Sequence, residues 1–241
     1  MNTSQEVKEI MAYLEEVGSP NTVKIYRKHG AHGDIFGVKV GDLKPLQKKY
    51  KNNNEVAKAL FATNNSDAMY LACLISDPEK LEKETIQKWA EDAWWYMLSE
   101  YAVAWVLAES TNALKHINGL MKNEEEHILS CAWSALSSYI AITADDDLDL
   151  TYLNQKLLEV ETTIHDQKNR VRHTMNGFVI ALGSYVPEIT ERALSSANKI
   201  GKVEVFMGET SCKVPFAPDY IQKIIDKGRV GKKKEKQQSV K

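Results

Sequence analysis

An aromatic cluster with a carboxylate on its C-terminal side lies near the middle of the sequence. Five aromatic residues occur within the thirteen positions from Trp89 to Tyr101. Because Trp94 and Trp95 are adjacent, they cannot share one face of a helix, and one of them is expected to be exposed in a groove. An exposed indole beside the carboxylate of Glu100 would attract a cationic ligand through its ring face. The alternative is that the rings fill the core, as aromatic side chains in apolar helices usually do.

Two basic segments far apart along the chain could bind an anion. The first covers residues 24–51 and includes a loop at 30–42 with four glycines, whose backbone N–H groups precede a helix, where an anion is favoured. The second covers residues 168–172 at the start of a helix, where positive charge opposes the helix dipole and so indicates an anionic partner. The alternative is a solvated, charged helix face. Contacts to a phosphate backbone are expected from Lys24, Arg27, Lys28, Lys39, Lys168, Arg170 and Arg172.

Composition and charge restrict the class of protein. The 241-residue chain is 43% hydrophobic and 27% charged, which is typical of a globular protein with a substantial core. It has no apolar run long enough to span a membrane and no secretory signal pattern at its N-terminus, so we expect a cytoplasmic protein. The net charge is −2, but residues 227–241 contain seven basic residues and one acid, which leaves −8 on the rest of the chain. A site for a polyanion must therefore be a local patch.

Metal and cofactor chemistry has no matching motif in the sequence. The three cysteines, Cys73, Cys131 and Cys212, are far apart and odd in number, which indicates free thiols rather than a disulfide framework or a zinc site. His29 and His32 have no third ligand nearby. Nucleotide-phosphate loops, nucleophile-elbow motifs and zinc-binding helices are also missing. We therefore expect no metal and no cofactor.

Helical periodicity dominates the elements that must position these residues. Between residues 82 and 200, helices of about 10–16 residues are joined by short links. This rhythm is typical of a solenoid of stacked helix pairs, with a compact bundle as the alternative. Residues 201–215 alternate apolar and polar positions around a polar turn, which predicts a small C-terminal β-hairpin. We expect one domain over residues 1–228 and a disordered basic tail over residues 229–241.

Four segments of the chain resemble the DNA alkylation repair family of the AlkD type. They are YRKHGAHGDIFGVKVGDLK (26–44), WWYMLSEY (94–101), QKNRVRHTMNGFVIALGSYV (167–186) and GKVEVFMGETSCKVP (201–215), within a resemblance that spans most of residues 5–228. The resemblance implies an all-α, HEAT-like helical-repeat solenoid (α-α superhelix) that cradles double-stranded DNA on a concave basic face. It also implies excision of cationic N-alkylated purines, such as 3-methyladenine or 7-methylguanine, without metal or cofactor. We expect a monomer.

The residues that such an enzyme would use are only partly matched. In active members of the family, a Trp and an Asp from one helix and an Arg from a neighbouring repeat contact the DNA near the lesion. The carboxylate stabilises the positive charge that develops on the sugar as the base leaves. The Trp is matched by Trp94 or Trp95, whereas Glu100 is the nearest substitute for the Asp. The helix that should supply the Arg, over residues 127–136, contains none.

Two hypotheses follow for the DNA-binding face. In the first, the protein is an alkylpurine DNA glycosylase in which Glu100 is the electrostatic carboxylate and Trp94 or Trp95 contacts the lesion. In the second, it is a catalytically silent relative that recognises damaged or branched DNA by shape and charge. A third hypothesis is a protein-interaction scaffold, because solenoid concavities commonly bind peptides and a body with a charge of −8 suits a basic partner.

Overall fold

The computed structural model describes residues 2–236, which fold mainly as helices. No helix in this range is long and apolar enough to cross a membrane. Short 3-10 turns at Val40–Leu43, Pro78–Lys80, Asp145–Asp147, Ile164–Asp166 and Pro187–Ile189 lie between or before several α-helices. The α-helices of the described range are, in chain order, α1 (Thr3–Val17), α2 (Pro20–Lys28), α3 (Lys44–Tyr50), α4 (Asn54–Phe61), α5 (Ser66–Ile75), α6 (Lys83–Asp92), α7 (Ala104–Glu109), α8 (Ala113–Leu120), α9 (Glu126–Ile142), α10 (Leu150–Thr163), α11 (Asn169–Tyr185), α12 (Thr190–Ile200) and α13 (Ala217–Asp226).

Side-chain caps set where several of these helices begin. The side chain of Asn53 accepts a hydrogen bond from the N–H of Val56 in α4, and Asn65 and Asp149 cap α5 and α10 in the same way. Asn and Asp are favoured at this position because their oxygens satisfy N–H groups that have no partner within the helix. Pro20 opens α2, where its fixed φ suits the first turn and its missing N–H is not needed.

The helices stack in two rows. The inner row consists of α5, the segment Met97–Val103 before α7, α9, α11 and α13, which pack on one another in that order. The outer row consists of α4, α8 and α12, which pack against α5, α9 and α11 respectively. The longest of these contacts is between α9 and α11, where the rings of Trp133 and Phe178 lie 5.1 Å apart and are both fully buried. This two-row stack agrees with the helix-pair solenoid that the helix rhythm predicts.

The segment that leads into α7 is a π-helix, Met97–Val103. Its hydrogen bonds join residues five apart, so that positions i and i+5 lie on the same face. Tyr96 and Tyr101 accordingly have ring centroids 6.2 Å apart. The sequence predicts one ordinary helix over residues 97–110, and the π-helical stretch departs from it where Glu100 turns toward α9 and α11.

The prediction of a C-terminal β-hairpin is wrong. No β-strand forms in the described part of the chain, and residues 201–215 make no ladder with one another. Their backbone groups bond instead to side chains of α11. The side-chain amide of Asn169 donates a hydrogen bond to the C=O of Phe206 and accepts one from its N–H. The side-chain amide of Asn176 donates to the C=O of Pro215. The helix therefore supplies the hydrogen-bond partners that a second strand would have provided.

The start of the predicted tail lies against the body of the protein. The backbone N–H groups of Gly231 and Lys234 donate to the C=O groups of Ser184 and Ala141, at the C-terminal ends of α11 and α9. Residues 237–241, the remainder of that tail, lie outside the described residues. The division of the chain at residue 228 stays a prediction.

Candidate nucleic-acid interface

A buried ion pair joins the middle of the chain to its C-terminal third. The carboxylate of Glu100 accepts hydrogen bonds from Nε and Nη2 of Arg170, with N···O distances of 2.8 and 2.5 Å. Glu100 is 3% exposed, and its backbone C=O accepts a further bond from the Ser134 hydroxyl of α9. Burial raises the pKa of the Glu100 carboxyl, and the guanidinium of Arg170 opposes that rise. Because a cation holds both oxygens, we expect the carboxylate to be ionised.

Arg170 is fixed from several sides at the start of α11. Its guanidinium carbon lies 4.5 Å from the centre of the Tyr96 ring, and its Nη1 lies 3.6 Å from the sulfur of Met207. Its backbone N–H donates to the carboxylate of Glu126, the first residue of α9. The sequence assigned this positive charge to a partner outside the protein, whereas the structure gives it an internal partner, Glu100.

A cleft of about 230 Å³ opens beside this ion pair. Trp94 lines it and is half-buried, with its ring 6.0 Å from that of Trp95 and 4.9 Å from that of His32. The indole N–H of Trp94 has no hydrogen-bond acceptor among the described residues. Gly33 is required opposite this ring, because a Cβ atom there would lie 2.6 Å from it. The cleft therefore presents an aromatic surface to a ligand, while the unpaired N–H of this indole is itself buried.

Trp95 belongs to the core rather than to the open surface. It is 6% exposed at the edge of the same cleft. Its indole N–H donates to the hydroxyl of Ser66 at 2.8 Å, and its ring lies 5.5 Å from that of Tyr26. The two adjacent tryptophans thus face different surroundings, as their spacing requires, and Trp94 is the one that can reach a ligand.

The backbone of the glycine-rich loop after α2 binds a carboxylate of the protein itself. The carboxylate of Asp67, in α5, accepts the N–H groups of Phe36, Gly37 and Val38 at 2.7 to 3.0 Å. Asp67 is 4% exposed; burial raises the pKa of its carboxyl, and these three bonds oppose the rise. The sequence suggested that the N–H groups of this loop could receive a phosphate. That interpretation is wrong for these three, because the protein fills the position itself. Asp67 is not among the residues that the sequence singles out, because an acid in the first turn of a helix is common without any such role.

The first basic segment borders the cleft through the end of α2. Arg27 donates to the C=O groups of Ala31 and Gly33 at 3.0 and 2.8 Å, and so holds the loop that packs on Trp94. The side chains of three more predicted contacts, Lys24, Lys28 and Lys39, are exposed. None of these three lines the cleft itself, so any role in binding is at its rim or farther out.

The basic residues of the second segment differ in exposure, because other parts of the protein contact them to different extents. Lys168 is exposed and its ammonium donates to the C=O of Glu124. Arg172 is half-buried, and its Nε has no acceptor among the described residues. The next residue, His173, has its pKa lowered to about 4 by burial and by the nearby charge of Arg170. Of the three predicted cations in this segment, Lys168 is the most open to solvent.

Residues 201–215 bring the two basic segments together. The N–H of Glu209 donates to the C=O of Lys28 at 3.0 Å, while Phe206 is held at the start of α11. Across the cleft, the hydroxyl of Tyr96 lies 3.0 Å from Nδ1 of His29. Because Arg170 lies over the same tyrosine ring, the end of α2 and the start of α11 border one cleft.

A second cavity lies along the inner helices. Its volume is about 520 Å³, and Glu100 lines both this cavity and the first cleft. Aromatic side chains of the inner row line it, namely Tyr101, Trp105, Tyr185 and Tyr220. Cations at one rim and aromatic faces along a concave floor are suited to a polyanion that also presents planar groups.

Comparisons with known proteins agree with this architecture. Over 216 residues, the chain is 35% identical to the uncharacterized protein Lin0241 of Listeria innocua and 34% identical to the uncharacterized protein Lmo0209 of Listeria monocytogenes. In both cases the match covers 87% of this chain and 93% of the relative. A solved structure, described as a new family of proteins related to the HEAT-like repeat DNA glycosylases with affinity for branched DNA structures, is 35% identical and superimposes with a TM-score of 0.87. That match covers 95% of this chain and 97% of the other, and it identifies the helix stack as a HEAT-like repeat fold.

The family model for the DNA alkylation repair enzyme matches residues 10–207. This range includes both tryptophans of the cleft, the Glu100–Arg170 pair and the basic segments that border them. The resemblance read from the sequence is therefore confirmed, and the chain belongs to the DNA alkylation repair family.

Proposed function

We propose that this protein binds duplex and branched DNA across its concave face and does not excise alkylated bases. The single observation that carries the proposal is the state of Glu100, which is 3% exposed and bound through both carboxylate oxygens to Arg170. Excision requires a carboxylate that faces the sugar on which positive charge develops. This carboxylate faces an internal cation instead.

Separating Glu100 from Arg170, so that the carboxylate could act in catalysis, would cost free energy. Separating a buried ion pair leaves an uncompensated charge, which costs about 3–5 kcal/mol. A substrate would have to supply that free energy before any benefit to the transition state appeared. Arg170 is equally committed, so it is not available to clamp a phosphate beside a lesion.

The binding half of the proposal is supported by charge placement and by the structural relative. Lys24, Lys28, Lys39 and Lys168 are exposed on the two segments that meet at the cleft. Exposed lysines recognise phosphates as point charges, which gives binding by shape and charge rather than by base sequence. The relative with a TM-score of 0.87 is described as having affinity for branched DNA structures, and we extend that preference to this chain.

Fluorescence anisotropy with labelled DNA tests the binding. We expect the protein to bind a four-way junction more tightly than a linear duplex of equal length, with affinity falling steeply between 50 and 200 mM salt. The double variant Lys28→Gln/Lys168→Gln should weaken binding and make the salt dependence shallower by about two. Lys88→Gln is the control, because this exposed lysine is paired with Asp92 within α6 and does not line the cleft. Absence of binding to either DNA at 50 mM salt would exclude the function and favour the scaffold hypothesis.

A base-release assay tests the absence of excision. Methylated DNA incubated with the protein should lose 3-methyladenine and 7-methylguanine no faster than the same DNA alone. Release above that background, abolished by Glu100→Gln, would instead establish the glycosylase hypothesis with Glu100 as its carboxylate.

A further inference from the structure

The basic segment that follows α13 is held against the C-terminal ends of α11 and α9. We call residues 230–236 the edge strap. Its Gly231 N–H donates to the C=O of Ser184 at 3.0 Å, and its Lys234 N–H donates to the C=O of Ala141 at 2.7 Å. The ammonium of Lys236 then pairs with Glu79 at 2.8 Å. The strap therefore crosses from α11 to α9 and on to the turn before α6.

Lys233 is the anchor of the edge strap. Its ammonium lies 2.8 Å from the C=O of Tyr185, 3.2 Å from the C=O of Ile140 and 2.7 Å from a carboxylate oxygen of Asp145. The two carbonyls belong to the last turns of α11 and α9, where unsatisfied C=O groups and the helix dipole favour a cation. The side chain is 20% exposed, so this contact is partly withdrawn from solvent.

The path of the strap places positive charge where the body of the protein is negative. Residues 1–226 carry a charge of −8, and three consecutive acids, Asp145–Asp147, follow the end of α9. Without a cation, this edge would repel a phosphate backbone. The exposed side chains of Lys232 and Lys234 lie along it, and the ammonium of Lys234 is 5.5 Å from the centre of the Tyr185 ring.

The strap also lines a cavity that shares a residue with the candidate site. Lys234 lines the cavity of about 520 Å³, and Glu100 lines both this cavity and the Trp94 cleft. Gly231 allows the chain to enter this path, with a φ of 74° and a position where a Cβ atom would lie 2.8 Å from Pro187.

We propose that the edge strap is a built-in part of the DNA-binding face, in which Lys233 fixes the strap and Lys232 and Lys234 contact phosphates of the bound DNA. The inference rests on the proposed DNA-binding function. It assigns the far edge of the concave face to the same polyanion as the rim at α2 and α11. A free basic arm would give a similar charge but no fixed register on the DNA.

Limited proteolysis without DNA tests the anchor. Trypsin cleaves after Lys and Arg, and mass spectrometry of the full-length protein locates each cut. We expect Arg229, Lys232 and Lys234 to be cleaved slowly in the wild-type protein and at least several-fold faster in Lys233→Gln. Equal cleavage rates in the two proteins would overturn the anchored strap, whatever the outcome of any DNA-binding measurement.

Salt titration of DNA binding tests the role of the strap. Lys232→Gln/Lys234→Gln should reduce the magnitude of the log–log salt slope by about two. Lys233→Gln should weaken binding more than the matched charge change Lys227→Gln, which lies before the strap at the end of α13. Tighter binding by Lys233→Gln, or equal effects of Lys233→Gln and Lys227→Gln, would overturn the proposal. Wild-type protein that binds no DNA would instead refute the proposed function itself, so the two failures are distinguishable.

Discussion

Arg170 binds both carboxylate oxygens of Glu100 from seventy positions further along the chain. The pair connects the π-helix of the central repeat to the first turn of α11 and closes one side of the Trp94 cleft. A charge that could have served catalysis is thereby part of the packing between repeats. Its role in stability can be measured separately from any DNA chemistry.

Removing one member of this pair should destabilise the protein strongly. In Arg170→Gln, the buried carboxylate of Glu100 loses its cation, so we expect the free energy of unfolding to fall by about 3–5 kcal/mol. Arg170→Lys should recover only part of this loss, because an ammonium cannot form the two parallel bonds. Urea denaturation gives both values. The double variant Glu100→Gln/Arg170→Gln should be more stable than Arg170→Gln alone; a cycle with no coupling would contradict the ion pair.

His173 should make stability depend on pH below neutrality. Its pKa is lowered from 6.5 to about 4 in the folded protein, so folding favours the neutral ring. The stabilisation is present above pH 6.5 and is lost as the pH falls toward 4, with an upper limit of about 3 kcal/mol. Urea denaturation of wild type and His173→Gln at pH 7.5, 6, 5 and 4 measures it. The difference between the two proteins should shrink steadily on acidification, and a constant difference would rule out His173 as the titrating group.

Asp67 should hold the glycine-rich loop in place. The N–H groups of Phe36, Gly37 and Val38 all donate to its carboxylate, so we expect their hydrogen exchange to be slow. Asp67→Ala leaves these donors without an acceptor and should cost at least about 3 kcal/mol, since each unsatisfied buried group costs about 1–3 kcal/mol. Exchange at the three amides should then accelerate more than at the core amides of α9. Unchanged protection at these amides would show that the loop does not depend on the carboxylate.

The two adjacent tryptophans should respond differently to the same change. Trp95→Phe removes a buried hydrogen bond to Ser66, so thermal and urea denaturation should show a loss of about 1 kcal/mol or more. Trp94→Phe removes an indole N–H that has no acceptor among the described residues, so its effect on stability should be smaller. Trp94→Ala should weaken DNA binding while leaving the protein folded, as judged by circular dichroism. Equal stability of the two Phe variants would argue against this assignment.

The helical fold was predictable from the sequence because apolar residues recur at helical spacing along its long amphipathic helices. Residues 124–140 and 167–183 are read as helices, and α9 and α11 begin and end within two residues of those bounds. The alternating pattern around residue 205 led to the wrong prediction of a β-hairpin for a physical reason. Any extended segment that lies with one face against the protein buries alternate side chains. Its backbone can then bond to a helix side chain such as Asn169 instead of to a second strand.

The site was predictable in its composition but not in its pairings. The sequence singled out Trp94, Glu100 and Arg170, yet it could not show that the last two neutralise each other. Ion pairs between distant elements depend on helix phase and on crossing geometry, neither of which has a local signature. The π-helical turn at Met97–Val103 is an example, because its residues read as an ordinary apolar helix.

That π-helical turn also limits how the repeat can change. A π-helix joins residues five apart, one more than in an α-helix, so this turn holds one residue more than an ordinary turn does. Deleting one residue within Met97–Val103 would let the segment close as an α-helix, and α7 with its buried Leu107 would keep nearly the same orientation. Glu100 lies inside the turn, so it would point in another direction and lose Arg170. The ion pair thus depends on a single extra residue that the packing of α7 does not need.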